Sequence, residues 1–153
     1  MKTGKNRTIY IATGYTDGLT LAARCAADLP AHGLKLVKDG DWWNWPPIPS
    51  GLSRRGDRAH AQTILWRQTA AMKDTDAMLV LLTPNAATGT GAEIRWMVEN
   101  QKPVFWIRHG WPLHKEIPLW LRAGYGDEVS NLVELAAGIA ADAEQSFRMG
   151  GDS

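Results

Sequence analysis

Apolar positions along this chain follow two alternating spacings. Apolar runs occupy 77–82 and 104–107, a β-branched and aromatic run occupies 8–12, and a shorter run at 34–37 is interrupted only by Lys35; all four are typical of strands. Between and after these runs, apolar residues recur three or four positions apart, as they do on one face of an amphipathic helix. This alternation predicts a single-domain α/β fold, doubly wound, with a parallel sheet of about five strands and helices on both faces.

One Rossmann-like or flavodoxin-like domain is expected to span residues 1–153, with two irregular parts. The segment 39–57 is rich in Trp, Pro, Gly and Ser and predicts a long loop, while 149–153 should fray at the end of the chain. The loop contains Trp42, Trp43 and Trp45. These rings suit either stacking on a nucleobase or burial in a subunit interface.

The central apolar run, 77–82, leads into a turn that contains Thr90-Gly91-Ala92-Glu93. In open α/β sheets, ligands bind at the carboxyl ends of the strands, so a helix starting here would place Glu93 at a ligand site. The same four residues also match a capping box, in which Thr90 and Glu93 would satisfy the first N–H groups of the helix. Both interpretations stay open on local sequence. The backbone N–H groups from Gly89 to Ala92 could also hold a phosphate.

Composition and charge exclude several classes of function. With 17 basic and 16 acidic residues, the chain lacks the positive charge typical of nucleic-acid binding or of an anionic membrane surface. The single cysteine, Cys25, forms no internal disulfide, and no apolar run reaches the length of a membrane span. We therefore expect a cytoplasmic protein with a small-molecule ligand and neither a nucleic-acid nor a membrane partner.

Common cofactor and nucleophile motifs are missing from the sequence. Gly89-Thr90-Gly91 lacks the third glycine of a dinucleotide fingerprint and follows the third strand instead of the first. No Walker motif or G-x-S-x-G elbow is present, and the four histidines are not at zinc-binding spacing with a cysteine. We expect no metal and no cofactor.

Two segments of the chain resemble the nucleoside 2-deoxyribosyltransferases and the related nucleotide N-glycoside hydrolases. The first is the strand 8–12 followed by Gly14, Tyr15 and Asp17, which is similar to the opening strand and loop of that family. The second is Asp76 with the central strand, then Gly89-Thr90-Gly91-Ala92-Glu93-Ile94 and Lys102-Pro103-Val104. The resemblance extends over roughly residues 8 to 107.

The resemblance implies roles for individual residues. Glu93 falls on the family's nucleophilic glutamate, and Tyr10 on the aromatic residue that places it. Three positions depart from the transferase pattern: Gln68 and Ala87 stand where acids are usual, and Arg95 stands where a glycine is usual. The implied substrate-binding set is Gly14, Tyr15, Asp17, Trp43, Gln68, Thr88, Gly89, Thr90 and Gly91. From their residue types alone, Tyr10 could equally be a core tyrosine, and Asp76 is expected to be structural.

The function implied by this resemblance is cleavage of the N-glycosidic bond of a nucleoside or nucleoside 5′-monophosphate. A carboxylate can stabilise or capture the positive charge that develops on the sugar. Because Gln68 and Ala87 replace acids, hydrolysis is favoured over transfer to a second base. Two alternatives remain, a non-catalytic nucleotide sensor and a TIR-like domain that cleaves nicotinamide dinucleotides. Members of the family commonly assemble, so we expect a homo-oligomer.

Overall fold

The computed structural model describes residues 7–13, 18–45, 49–84, 88–110 and 117–151. Five parallel strands form one sheet in the order β2-β1-β3-β4-β5. This confirms the predicted parallel α/β sheet, and the strand order is the flavodoxin-like one. The strands are β1 (Arg7–Thr13), β2 (Leu34–Leu36), β3 (Ala77–Leu82), β4 (Val104–Arg108) and β5 (Asp127–Glu128).

Helices cover both faces of this sheet because successive strand side chains point to opposite sides. On one face Tyr10 and Val80 pack with α2 and α3, and on the other Ile11 and Leu79 pack with α1 and α5. We call the first of these the Tyr10 face. The helices are α1 (Leu19–Asp28), α2 (Arg54–Asp74), α3 (Thr88–Glu99), α4 (Leu119–Arg122) and α5 (Leu132–Gly151). Two 3-10 turns, Leu29–His32 and Trp42–Asn44, lie beside β2.

The predicted loop 39–57 contains regular structure in two of its described parts, which its composition did not suggest. The 3-10 turn at Trp42–Asn44 occupies part of it, and α2 already begins at Arg54. Ser53 caps that helix, since its side-chain oxygen accepts a hydrogen bond from the N–H of Gly56 at 3.1 Å. At the other end of the chain the backbone stays helical through Gly151, although 149–153 was expected to fray; residues 152 and 153 lie outside the described residues.

Asp76 and Thr8 fasten β1 to β3 at the start of both strands. One carboxylate oxygen of Asp76 accepts from the N–H of Thr8 at 2.8 Å and from its hydroxyl at 3.1 Å. This agrees with the structural role expected for Asp76. The contact fixes the register in which Tyr10 lies opposite Met78.

Lys102 joins the end of α2 to the start of β4. Its ammonium group donates to the carbonyl oxygens of Met72 at 2.9 Å and Thr75 at 2.8 Å. Carbonyl groups at a helix C-terminus lack intrahelical partners and carry partial negative charge, so a cation is stabilising there. The two crossover connections on the Tyr10 face are thereby held at the amino-terminal edge of the sheet.

Two glycines in helices differ in the space around them, so substituting each with alanine measures how tightly the helix packs there. A Cβ at Gly138 on α5 would lie 2.6 Å from Cε1 of the buried Phe105 ring, whereas a Cβ at Gly91 on α3 would meet no described atom within 4 Å. Alanine normally stabilises a helix interior by about 1 kcal/mol relative to glycine. We expect Gly91→Ala to raise the free energy of unfolding by up to about 1 kcal/mol. Gly138→Ala should lower it by about 1–2 kcal/mol because overpacking outweighs propensity.

Urea denaturation of both variants beside the native protein measures these changes. The matched pair separates helix propensity from packing, since the substitution is the same. Stabilisation by both alanines would contradict the packing of α5 on Phe105.

Candidate active site

Tyr10 and Glu93 form a side-chain pair on the Tyr10 face of the sheet. Tyr10 lies in the middle of β1 and is fully buried, while Glu93 lies in the second turn of α3 and is partly buried. The Tyr10 hydroxyl donates to Oε2 of Glu93 at 2.5 Å, a short hydrogen bond. Residues 83 positions apart are therefore joined across β1 and α3. The two residues assigned to catalysis by resemblance do lie together.

The second oxygen of Glu93 has a different environment. Within the described part of the chain, only the hydroxyl of Tyr10 donates to this carboxylate, and it does so to Oε2. The residue as a whole is partly buried, while its carboxyl group is buried deeply enough for desolvation to dominate its pKa. One oxygen is thus held by the protein while Oε1 is left for another group.

Burial sets the proton affinity of this pair. Removal from water raises the pKa of Glu93 from 4.5 to about 7, and the hydrogen bond from Tyr10 opposes that rise. The pKa of Tyr10 is raised above its usual value by burial, and further by the negative charge and the hydrogen bond of Glu93. Tyr10 is therefore a hydrogen-bond donor at neutral pH, and Glu93 changes charge near neutrality. Carboxyl groups with such shifts occur often at catalytic sites.

The capping-box interpretation of Thr90 and Glu93 is wrong. α3 begins at Thr88, so Thr90 is its third residue and Glu93 its sixth, beyond the first turn that a capping box requires. The Glu93 carboxylate is directed at Tyr10 instead of the helix start. Thr90 is 3% exposed, and its hydroxyl has no hydrogen-bond partner among the described residues.

Trp42 and Trp43 pack on opposite sides of the sheet edge formed by β1. β2 pairs with β1 only as far as Ile9, and the indole N–H of Trp42 donates to the next free carbonyl on that edge, Ile11, at 2.7 Å. The Trp42 ring packs into the core of the Tyr10 face, whereas Trp43 packs into the core of the opposite face. The structure does not bring the predicted base-stacking residue, Trp43, to the Glu93 side of the sheet.

Trp45 contacts α2 through a cation–π interaction that was not predicted. The guanidinium carbon of Arg67 lies 4.0 Å from the centre of the Trp45 ring. The two residues are far apart in the chain, and no spacing in the sequence signals that they meet. The hydrogen bond from Trp42 to β1 was not predicted either. The shortness of the run 34–37 could have indicated it, because a short β2 leaves carbonyl groups of β1 for a neighbouring side chain.

The other predicted substrate-binding residues fall into three groups. Gln68 is half-buried on α2, one turn before the core residues Ala71 and Met72. Thr88, Gly89, Thr90 and Gly91 form the first turn of α3 and therefore adjoin Glu93 on the same helix. Gly14, Tyr15, Asp17 and Ala87 lie outside the described residues.

Two exposed arginines form ion pairs with acidic side chains at the surface. Arg95 pairs with Glu99 one turn along α3, and Arg108 pairs with Glu128, each at 2.9 Å. No group of three His, Cys, Asp or Glu side chains within the described ranges could hold a metal ion. Across the same ranges, no helix is both long and apolar enough to cross a bilayer.

Comparison with known proteins establishes the fold and no family. No protein-family profile matches the chain, and no curated protein does. Among solved structures, a conserved protein from Enterococcus faecalis V583 superposes with a TM-score of 0.57, covering 90% of this chain and 99% of that one at 16% sequence identity. This similarity supports the single-domain α/β fold.

The raised pKa of Glu93 predicts that this residue destabilises the protein at neutral pH. Protonated Glu93 is favoured in the folded state, so its contribution to stability is full below pH 4.5 and is lost as the pH rises to about 7. We expect Glu93→Gln, which stays neutral, to become progressively more stable than the native protein over that range. Above pH 7 the gain in the free energy of unfolding should reach no more than about 3 kcal/mol.

Chemical denaturation from pH 4 to 8 measures this difference, with Glu99→Gln as the matched control. Glu99 lies on the same helix but is exposed, and its difference from the native protein should stay within about 0.5 kcal/mol. A Glu93→Gln variant less stable than the native protein at pH 7 would mean that the carboxylate is a structural group.

The Tyr10 hydroxyl is expected to hold the pKa of Glu93 down. Tyr10→Phe removes this single donor, and the pKa of Glu93 should therefore rise above about 7. Carbon-13 NMR of the glutamate side-chain carboxyls, followed through a pH titration, measures the shift. An unchanged or lowered pKa would show that the hydrogen bond does not stabilise the carboxylate.

Proposed function

We propose that this protein is a cytoplasmic enzyme that hydrolyses the N-glycosidic bond of a nucleoside or nucleoside 5′-monophosphate, with Glu93 as nucleophile. The observation that carries this proposal is the short Tyr10–Glu93 hydrogen bond, which leaves one carboxylate oxygen without a donor among the described residues. The resemblance to nucleoside 2-deoxyribosyltransferases and nucleotide N-glycoside hydrolases selects the substrate class. The location also supports it, because β1 and β3 are the strands at which the order of a flavodoxin-like sheet reverses.

The proposed reaction has two steps. Oε1 of Glu93 attacks C1′ as the bond from C1′ to the base nitrogen breaks, and the electron pair leaves with the base, which takes a proton from solvent. Water then attacks C1′ of the glycosyl ester, giving the free sugar and restoring the carboxylate. Tyr10 keeps Oε2 fixed throughout, so that Oε1 faces the sugar.

The pKa of Glu93 has a consequence for the pH dependence. Only the ionised carboxylate is a nucleophile, so the first step should become faster as the pH rises through about 7. Charge development on the sugar also favours the carboxylate, since the two opposite charges meet where water is largely excluded.

Hydrolysis is favoured over base exchange by residues at two positions. A transferase must present an acidic group to the departing and the incoming base, and Gln68 lacks an acidic proton. The side chain of Ala87 has no polar group. Water requires neither acid, so the residues of this chain suit hydrolysis better than exchange.

A homo-oligomer remains part of the proposal. Leu65 and Trp66 are neighbouring apolar residues on the outer side of α2, 59% and 69% exposed in the single chain. Adjacent exposed apolar side chains are common where subunits meet. They support the expectation of self-association.

The proposed activity is tested by incubating the protein with deoxynucleosides, ribonucleosides, their 5′-monophosphates and NAD, and measuring released base by chromatography. We expect release from one nucleoside or nucleotide class, with a rate that rises through about pH 7. Glu93→Gln should lower it at least a hundredfold because the nucleophile is lost, while Glu99→Gln should retain it.

Each substrate is also supplied with a second free base, which distinguishes hydrolysis from exchange. Free sugar should exceed new nucleoside. Predominant exchange would make the protein a transferase, and release from NAD alone would favour the TIR-like alternative. Binding of a nucleotide with no release at any pH would leave the sensor alternative.

A further inference from the structure

The indole of Trp42 completes the hydrogen bonding of β1 beyond the point where β2 ends. The last bond between these two strands runs from the N–H of Val37 to the carbonyl of Ile9 at 2.9 Å. Ile11 presents the next carbonyl on that edge, because alternate residues of a strand direct their carbonyls to the same side. The indole N–H of Trp42 donates to this carbonyl at 2.7 Å. A side chain thus takes the place of the neighbouring strand.

A tight turn after β2 brings Trp42 to this edge. The N–H of Gly40 donates to the carbonyl of Val37 at 2.9 Å, and Asp39 between them has a φ of 61°, which is unfavourable for a residue with a side chain. A Cβ at Gly40 would lie 2.6 Å from Cγ1 of Val37, so the turn requires glycine there. The 3-10 turn that starts at Trp42 follows directly. The backbone therefore fixes where the indole lies.

Trp42 is also close in the fold to the tyrosine of the candidate site. Ile11, whose carbonyl it binds, follows Tyr10 directly in β1. The ring of Trp42 packs into the same core cluster as Tyr10, whereas the adjacent Trp43 packs into the core on the opposite face. A displacement of β1 at Ile11 would consequently reach Tyr10 through a single peptide unit.

The bond between Tyr10 and Glu93 is sensitive to such a displacement. It measures 2.5 Å, and a shift of about 0.5 Å would take it to the upper end of the usual O–H···O range. β3 holds the other edge of β1, with an added bond from the hydroxyl of Thr13 to the carbonyl of Leu81 at 3.0 Å. Without the indole of Trp42, β1 beyond Ile9 would be held from the β3 side alone.

We propose that Trp42 is a positioning residue for the candidate nucleophile: its hydrogen bond to Ile11 holds β1 where the Tyr10 hydroxyl meets Oε2 of Glu93. The influence of Trp42 on Glu93 passes through Tyr10, and Trp42 needs no contact with the substrate. The inference rests on the proposed function for the role of Glu93 as nucleophile, whereas the contacts that carry it do not.

The test measures the pKa of Glu93 by carbon-13 NMR in Trp42→Phe, with the signal assigned by its loss in Glu93→Gln. Burial sets this pKa together with Tyr10, the titratable group among the described residues that acts on the carboxyl. Trp42→Phe keeps an aromatic ring and removes the indole N–H. The pKa of Glu93 should therefore rise above about 7, by no more than Tyr10→Phe raises it.

Trp43→Phe is the matched control for this measurement. It makes the same substitution in the same 3-10 turn, but on the side of the sheet away from Tyr10. It should leave the pKa of Glu93 unchanged. A rise equal to that of Trp42→Phe would show a general loosening of the segment and would overturn the inference.

A double-mutant cycle tests whether Trp42 acts through Tyr10. In a Tyr10→Phe background, Trp42→Phe should not change the pKa of Glu93 further, because the hydroxyl that it positions is already absent. A rise of the same size in both backgrounds, or no rise in either, would contradict the proposed role.

A second variant separates the hydrogen bond from packing. Replacing Trp42 with 3-benzothienylalanine exchanges the indole N–H for sulfur and keeps a bicyclic ring of nearly the same shape. The pKa of Glu93 should still rise, because only the donor to Ile11 is lost. An unchanged pKa with this residue would leave the hydrogen bond without a positioning effect and refute the inference.

Measurements of base release distinguish this inference from the proposed function. At pH 7 Trp42→Phe should lower the rate about 2–5-fold, and less at pH 9, because a smaller share of Glu93 is ionised. Glu93-dependent release with an unchanged pH profile in Trp42→Phe would refute the role of Trp42 alone. The expected changes in pKa without base release from any substrate would refute the enzyme and keep the positioning role.

Discussion

The hydrogen bond between Tyr10 and Glu93 is the contact on which the rest of the site depends. A carboxyl group withdrawn from water resists ionisation, and a single phenolic donor offsets only part of that cost. The protein therefore keeps Glu93 poised between its neutral and charged forms near pH 7. The fully buried tyrosine cannot take up the proton of Glu93, nor lose its own, so it acts as a fixed positioning group.

The fold explains how this pair is held. Tyr10 is fixed by β1, whose register on β3 is set by Asp76 and Thr8, and whose free edge is closed by the indole of Trp42. Glu93 is carried by α3, which packs through Ile94 onto the same face. An electrostatically unfavourable carboxyl is tolerated because each supporting element is fixed by contacts away from the site. The fold thus supports a carboxyl group whose pKa is raised to about 7.

The sequence alone predicted the parallel sheet, but it did not predict the individual contacts of the candidate site. The run 77–82 matched β3 residue for residue, since a strand buried on both faces has no polar interruption to blur its ends. Four residues that also fit a capping box could not reveal that α3 starts at Thr88, because the bond that draws Glu93 to Tyr10 joins residues far apart in the chain. The tryptophans were predicted to act as a group, yet Trp42 and Trp43 pack on opposite faces of the sheet. Their placement depends on where the short β2 ends, and composition does not predict that end.

The proposed covalent bond between Glu93 and the sugar is tested most directly by trapping the glycosyl ester. A 2′-fluoro-2′-deoxyarabinosyl nucleoside is suitable because the electron-withdrawing fluorine slows both steps, most usefully the release of the ester by water. Intact-protein mass spectrometry followed by peptide mapping should show one fluoropentosyl group on the peptide that contains Glu93, and none on the Glu93→Gln variant. Release of base from natural substrates without any label, or a label on a different residue, would contradict the account.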